Sequence, residues 1–452
     1  MKVENNLDTD DMKGLVWRLA LPSMLAQFVS VFYSIVDRMY IGNIPEIGET
    51  ALAGVGICGP IVTLVSSVAF LVGVGGSPLM SIRLGEKNER AATQILANCF
   101  LLLTVLAVII TGIFLLIKGK LLMWFGASEA TFGYANDYLT ICLLGTVFAL
   151  LSTGMAQFII CQGFAKVAMK AVLLGAVCNI ILDPIFIFAF GMGVKGAAIA
   201  TVLSQIASCT FVLRFLFSDR PPVRITFGHY DWQIMRHVLI IGLSPFLIIA
   251  FDNILIIALN TVIQRNGGAE GDMLLTCMTI VQSFMLMVTM PLGGITGGTQ
   301  TILGYNYGAR RPDRIKKAEL HIASLALGFT TIMFIIAHTV PQFFVMIFTK
   351  NPQYIDLTVK AIKIYTMGII PLALQYAAVD GFTGMGIAKV AISLSMFRKT
   401  IFLLGAFLIP VYWGVQHIFY IEPISDIVGA TVSVIVYFLL IDRVINRKDN
   451  IV

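Results

Sequence analysis

The sequence predicts an all-α integral membrane protein of twelve transmembrane helices, arranged as two pseudo-symmetric six-helix lobes. Three observations predict it: a composition too apolar for water, membrane-length apolar stretches along the whole chain, and an internal repeat. Of the 452 residues, 58% are hydrophobic and only 12% are charged, against about 25% charged in a soluble globular protein. The mean hydropathy is +0.89. Lipid, rather than water, can cover that much apolar surface.

A helix needs about 20 apolar residues to cross the hydrocarbon layer. Charge-poor stretches of that length predict spans at 15–42, 51–82, 91–117, 134–163, 167–190 and 194–217. A second set falls at 236–263, 273–306, 318–347, 356–386, 390–413 and 422–445. Strands of a barrel would alternate apolar and polar residues, and stretches such as Phe100 to Ile117 do not. Residues Met1 to Lys13 are polar and acidic, so no removable signal peptide is expected.

Net charge is +6, a balance that in a soluble protein suggests nucleic acid. The distribution argues otherwise, and no nucleic-acid partner is expected. With the N-terminus in the cytoplasm, most of the 31 Lys and Arg, with Arg398 and Lys399 among them, are assigned to the inner side. The positive-inside rule then puts both termini in the cytoplasm. The seven cysteines contain no CxxC pair and the five histidines have no metal-ligand spacing, so both read as packing residues.

The chain repeats itself at an offset of 223 residues. Pro22 matches Pro245, Gly85 matches Gly308, Gly145 matches Gly368, and Gly163 matches Gly386. Ala165-Lys166-Val167 matches Ala388-Lys389-Val390, after which the register slips and Gly196-Ala197 matches Gly429-Ala430. Six helices per repeat make the repeats parallel, related by an axis along the membrane normal, which is a transporter architecture. The expected division is an N-terminal lobe at 1–217, a cytoplasmic linker at 218–235 broken by Pro221-Pro222, and a C-terminal lobe at 236–452. Gly73, Gly75 and Gly76, which align with Thr296, Gly298 and Thr299, are small residues that let helices approach closely.

Ionisable groups inside a membrane are costly and each is a functional candidate. Most acids lie in loops or at helix ends; Asp37, Asp183, Asp252 and Asp380 do not. Asp37 sits roughly 9 Å below the outer end of the first span, at 1.5 Å per residue. Asn179 and Asp183, four apart, share a helical face, and Thr201 lies just inside the sixth span. Two carboxylates, an amide and a hydroxyl at one depth are hard oxygen donors suited to Na⁺ or a shared proton, not to a transition metal. Pro184 removes a backbone donor beside this group and is expected to kink the helix, freeing the carbonyl of Ile180. The repeat does not duplicate the group: Asp37 aligns with Asn260, Asn179 with Phe402 and Asp183 with Ala406. Asp252 and Asp380 are candidates for a cavity in the C-terminal lobe. No GxxxxGK[ST], HExxH, GxSxG or CxxC motif occurs, so no enzyme chemistry is expected, and energy for transport must come from a gradient.

Several blocks resemble a known family. Leu21-Pro22 opens the first span and Asp37 follows, ending in Tyr40-Ile41-Gly42; then come Ala51-Leu52-Ala53-Gly54 and Arg83-Leu84-Gly85. Most specific are Asn179-Ile180-Ile181-Leu182-Asp183-Pro184 and Gly193-Val194-Lys195-Gly196-Ala197-Ala198, with Ala200-Thr201 behind. Over essentially its whole length the chain resembles the multidrug and toxic compound extrusion (MATE) family. The resemblance implies two six-helix lobes forming a V and cation-coupled efflux. In the DinF-like branch it implies a cation or proton site at the positions of Asp37, Asn179, Asp183 and Thr201, with Tyr138 beside it. Another branch has a glutamate in its seventh helix, where this chain has Asp252.

The expected activity is therefore export of cationic, drug-like molecules in exchange for Na⁺ or H⁺, with Na⁺ held by Asp37, Asn179, Asp183 and Thr201 and no other cofactor. A monomer among membrane lipids, in a bacterial cytoplasmic (inner) membrane, is the expected setting. The competing reading is a flippase of lipid-linked or polysaccharide precursors from the same superfamily, whose cavities are basic. The candidates here are acidic, with no conspicuous basic cluster. A receptor or membrane enzyme is disfavoured by the duplicated six-helix unit.

Overall fold

The computed structural model describes residues 5–125, 127–266 and 271–446 and, within them, all side chains but those at 49, 257, 261, 264–266, 271 and 272. Among the described residues there is no strand. The first half comprises α1 (Met12–Gly42), α2 (Gly48–Gly85), α3 (Glu89–Trp124), α4 (Glu129–Leu144), α5 (Thr146–Ile160), α6 (Ala165–Pro184) and α7 (Gly193–Phe217). The second comprises α8 (Trp232–Asn266), α9 (Gly271–Gly308), α10 (Pro312–Thr339), α11 (Pro341–Val345), α12 (Pro352–Tyr365), α13 (Ile369–Gly384), α14 (Ala388–Trp413) and α15 (Ile421–Ile445). Among the described residues eleven spans are long and apolar enough to cross a membrane, and the bent α4–α5 pair, taken as one span, makes a twelfth.

Local chemistry sets the helix starts. Asp11 accepts from the Gly14 amide, Asn88 from the Ala91 amide, and Ser128 and Thr131 close a capping box. The span expected at 134–163 is broken: α4 and α5 meet at 54° across Gly145. Its repeat mate Gly368 closes the 3₁₀ turn Thr366–Gly368 between α12 and α13. The duplication therefore extends to the helix breaks. The kink expected at Pro184 takes a specific form, a π-helical turn over Ile185–Ala189, in which the Phe190 amide donates to the Ile185 carbonyl at 2.9 Å. Such single π turns concentrate at functional sites.

Each half has its own core. Ile41, Cys58 and Leu139 belong to one cluster of the first half, and Phe284, Ile362 and Phe402 to a cluster of the second. The halves meet along α1 with α9 and α2 with α8. Shared clusters join Leu15 and Leu19 to Ile302, Phe382 and Ile441, and Ala20 to Leu292 and Ile295. The larger of these also holds Leu7 and Ile445, so it lies at the end of the bundle that carries both termini. Among the described residues no shared cluster joins the halves at the opposite end. The larger apolar closure between the halves therefore lies at the terminal end.

Close approach at the seam depends on glycine. A Cβ at Gly75 would stand 2.3 Å from the Val238 carbonyl oxygen, and one at Gly242 would stand 1.7 Å from that of Leu71. The outward faces stay apolar, as at Leu116, Phe438 and Val108. In water such a surface would aggregate; against acyl chains it is matched. The protein is a multi-pass membrane protein.

Candidate functional site

The four residues singled out in the first half converge. The π turn and Pro184 end α6 beside α1 and α7, bringing Asn179 and Asp183 under the half-buried Asp37. Asn179 is 2% exposed and Asp183 is fully buried. The Asn179 amide nitrogen donates to Asp183 Oδ1 at 3.2 Å and to Thr201 Oγ1 at 3.4 Å. The Asp37 and Asp183 carboxyls face one another. Tyr138 is buried on α4 close to Asp37 and Cys142.

What is missing around this group defines its chemistry. Asp37 Oδ1, Asp183 Oδ2 and Asn179 Oδ1 are buried acceptors to which nothing donates, and so is Gln205 Oε1. Buried acceptors left without donors are expensive, and two facing carboxylates repel. A proton shared by the pair, or a cation among the oxygens, removes both costs. The oxygen-only donor set fits Na⁺ as well as H⁺. Among the described residues no group of three His, Cys, Asp or Glu stands close enough to hold a metal by itself, so a bound Na⁺ would need Asn179 and Thr201.

Gln205 was not legible as a candidate. It lies four residues after Thr201 on the same face of α7, and that spacing is the signal that marks it. Tyr138, Thr201 and Gln205 line a cavity of about 50 Å³ with Ser66, Cys142 and Thr146. That is room for about one water molecule or ion.

In the second half two expectations are corrected. Arg398 and Lys399, assigned from sequence to the inner side, lie well inside α14, with Lys399 buried and the Arg398 side chain 11% exposed. Their partners explain it. The Arg398 guanidinium donates to Asp426 Oδ1 at 2.7 Å and Glu422 Oε1 at 3.4 Å, both on α15, and Lys399 Nζ donates to Asp252 Oδ1 on α8. The statement that no basic cluster is present is therefore overturned. The set of intramembrane acids was also too short: Glu319 on α10 is 7% exposed and Asp426 is fully buried.

Asp252 and Asp380, the candidates for a cavity in this half, have different hydrogen-bond partners. Asp380, on α13, accepts from Thr296 Oγ1 and from Gln300 Nε2, the latter at 2.9 Å. Glu319 packs its carboxyl on Gly381, and neither of its oxygens has a hydrogen-bond donor. Tyr376 lies near both Asp252 and Asp380. Phe402 and Ala406, the repeat mates of Asn179 and Asp183, are packed in the apolar core of the second half.

Two halves packed along a seam, each with ionisable groups buried between its helices, define a polytopic membrane protein of transporter architecture. The protein-family model MatE matches residues 22–185 and 249–409. The chain belongs to the MatE family, whose members are membrane transporters. It is similar to the multidrug export protein MepA of Staphylococcus haemolyticus (strain JCSC1435), 24% identical over 442 residues, 96% of this chain and 95% of that one. MepA of Staphylococcus aureus (strain MSSA476) is 23% identical over 430 residues, 94% and 93% of the two chains. Among solved structures, the outward-facing conformation of a multidrug resistance MATE family transporter of the MOP superfamily superposes with a TM-score of 0.90. Its identity is 25%, over 97% of this chain and 98% of that one. A MOP superfamily transporter from Pyrococcus furiosus Vc1 (DSM3638), described as having a binding pocket of reverse polarity, gives a TM-score of 0.92. That pair is 24% identical over 99% of this chain and 100% of the other.

Proposed function

We propose that this chain is a secondary active multidrug efflux antiporter that exports organic cations in exchange for Na⁺ or H⁺. The observation that carries the reading is the buried Asp37–Asp183 pair with Asn179 and Thr201, rich in acceptors and poor in donors. Export of drugs is the activity named for the two MepA relatives. The coupling ion sits in the N-terminal lobe, as in the DinF-like branch, with Asp37, Asn179, Asp183 and Thr201 as its ligands or proton carriers and Tyr138 beside them. Residues 1–217 and 236–452 act as the two lobes, 218–235 as their cytoplasmic linker. Both termini face the cytoplasm of a bacterial cell, the protein works as a monomer, and the open end of the V faces outward.

The buried Arg398 and Lys399 bring the flippase reading back into view, since a basic cavity suits phosphate headgroups. Each base is already matched, Arg398 by Glu422 and Asp426 and Lys399 by Asp252. Three carboxylates against two bases leave an excess of negative charge, which favours cations.

Purified protein in vesicles, given an imposed Na⁺ or pH gradient, is expected to move an ethidium-like dye against the ion flow. Flipping of an anionic lipid with no effect on the dye would replace this reading with the flippase one.

A further inference from the structure

The two halves do not carry equivalent chemistry. In the first, two carboxylates face each other without a base. In the second, a carboxylate is paired with a lysine. With its substrate class resting on the organic-cation reading above, we propose that Asp252 and Lys399 form a second exchange site. A monovalent organic cation there displaces the Lys399 ammonium from the Asp252 carboxylate, and Lys399 gives up a proton.

The asymmetry of the pair supports this. The Lys399 side chain is 9% exposed and that of Asp252 is 43% exposed. Asp252 faces Lys399 on α14 and Tyr376 on α13. The carboxylate is thus the accessible member of the pair and the ammonium the buried one. A ligand meets the carboxylate first, with the ammonium behind it. The resident lysine acts as a surrogate cation that holds the site neutral when it is empty. The Tyr376 ring beside it is a face on which an organic cation gains further attraction.

The surroundings decide what happens to a displaced Lys399. On its own helix is Arg398, a like charge. Across on α15 are Glu422 and Asp426, both committed to Arg398. On α13 is Tyr376, a neutral phenol. A buried charge stripped of its partner sheds the charge rather than keep it. The exchange balances: the ammonium loses a proton to become an amine, the proton leaves to solvent, and the incoming cation takes over its place on the carboxylate. The site carries the same net charge empty and occupied, because one cation enters as one proton leaves. Among the described residues a competing carboxylate acceptor is Asp426 Oδ2, to which nothing donates. If Lys399 swings there instead, the cation binds and no proton leaves.

The test uses the purified full-length protein in weakly buffered detergent with a pH indicator. Tetraphenylphosphonium is the probe, and its binding is followed in parallel by equilibrium dialysis. The wild type and a variant carrying Asp37→Asn and Asp183→Asn, which silences the carboxylates of the first half, are both expected to release a proton for each cation bound. Lys399→Arg keeps the charge and cannot discharge, so it should bind about tenfold more weakly or worse and release nothing. Lys399→Met serves as the second variant should arginine perturb the fold. It should bind at least as tightly as wild type, without pH dependence and without release. Proton release that persists in Lys399→Arg or Lys399→Met overturns the exchange, as does wild-type binding without release. Either result leaves the efflux reading standing if the dye is still exported. A wild type that neither binds the probe nor exports the dye sinks both.

Discussion

Gly85 and Gly308 make the same contact from opposite sides of the seam. A side chain at Gly85 would meet the Tyr305 carbonyl oxygen at 1.9 Å, and one at Gly308 would meet the Ile82 carbonyl oxygen at 2.0 Å. Ile82 and Tyr305 are themselves repeat mates, so the closure is a two-fold contact of backbone on backbone. Lys87 and Arg310, just beyond, both adopt left-handed backbone, with φ of 60° and 54°. The duplicated sequence thus closes the terminal end with duplicated geometry.

This contact predicts a conformational phenotype. Gly85→Val or Gly308→Val forces the helices apart where backbone must yield. At a cost of about 1–3 kcal/mol for overpacking, the closed end should lose roughly ten- to a hundredfold in population. Spin labels at Lys87→Cys and Arg310→Cys, in a background lacking the native cysteines, should report a longer distance. An unchanged distance with normal export would show that the glycines are tolerant packing.

Asp183→Asn keeps the size and burial of the side chain and removes its charge. Gradient-driven export should fall to the level of empty vesicles while expression and the melting temperature in detergent hold. Export at the wild-type rate would demote Asp183 to a structural role.

Na⁺ binding at the same group should weaken as pH falls. Holding the ion needs both carboxylates ionised, so each proton bound removes a ligand and the attraction together. Below the controlling titration, affinity should drop about tenfold per pH unit for each proton displaced. Asn179→Ala and Thr201→Ala should weaken Na⁺ dependence more than drug binding. Calorimetry at descending pH checks the first part. Full-rate export on a pH gradient with Na⁺ rigorously absent, and no Na⁺ heat at any pH, would make this a proton site.

Arg398→Ala should be among the more destabilising changes in the second half. It leaves Glu422 and Asp426 facing each other without a base, and breaking a buried ion pair costs about 3–5 kcal/mol. Arg398→Ala combined with Asp426→Ala should recover part of the loss. Thermal unfolding in detergent reads both; additive losses would mean that the pair is not coupled.

Glu319→Gln tests a different kind of burial. Both oxygens of Glu319 lack donors, so loss of the charge should leave stability the same or raise it. A fall of more than about 1 kcal/mol, the usual value of a hydrogen bond, would reveal a donor that the present geometry lacks.

The sequence alone determined the helices and their duplication. A span announces itself by local composition, because lipid asks the same thing of every residue along it. The repeat preserved Pro22 with Pro245 and Gly145 with Gly368 at one offset. Asp37, Asn179, Asp183 and Thr201 were legible because depth along a helix can be counted from its end. Tertiary structure alone decided the rest. Arg398 and Lys399 read as inner-side bases because a charge in an apolar run is uninterpretable until its partner is known. Those partners come from α8, 147 residues earlier, and from α15, 24 and 28 residues later. Glu319 gained meaning only from what packs against it. The seam glycines are ordinary small residues in sequence, and what makes each one necessary is a carbonyl contributed by the other half.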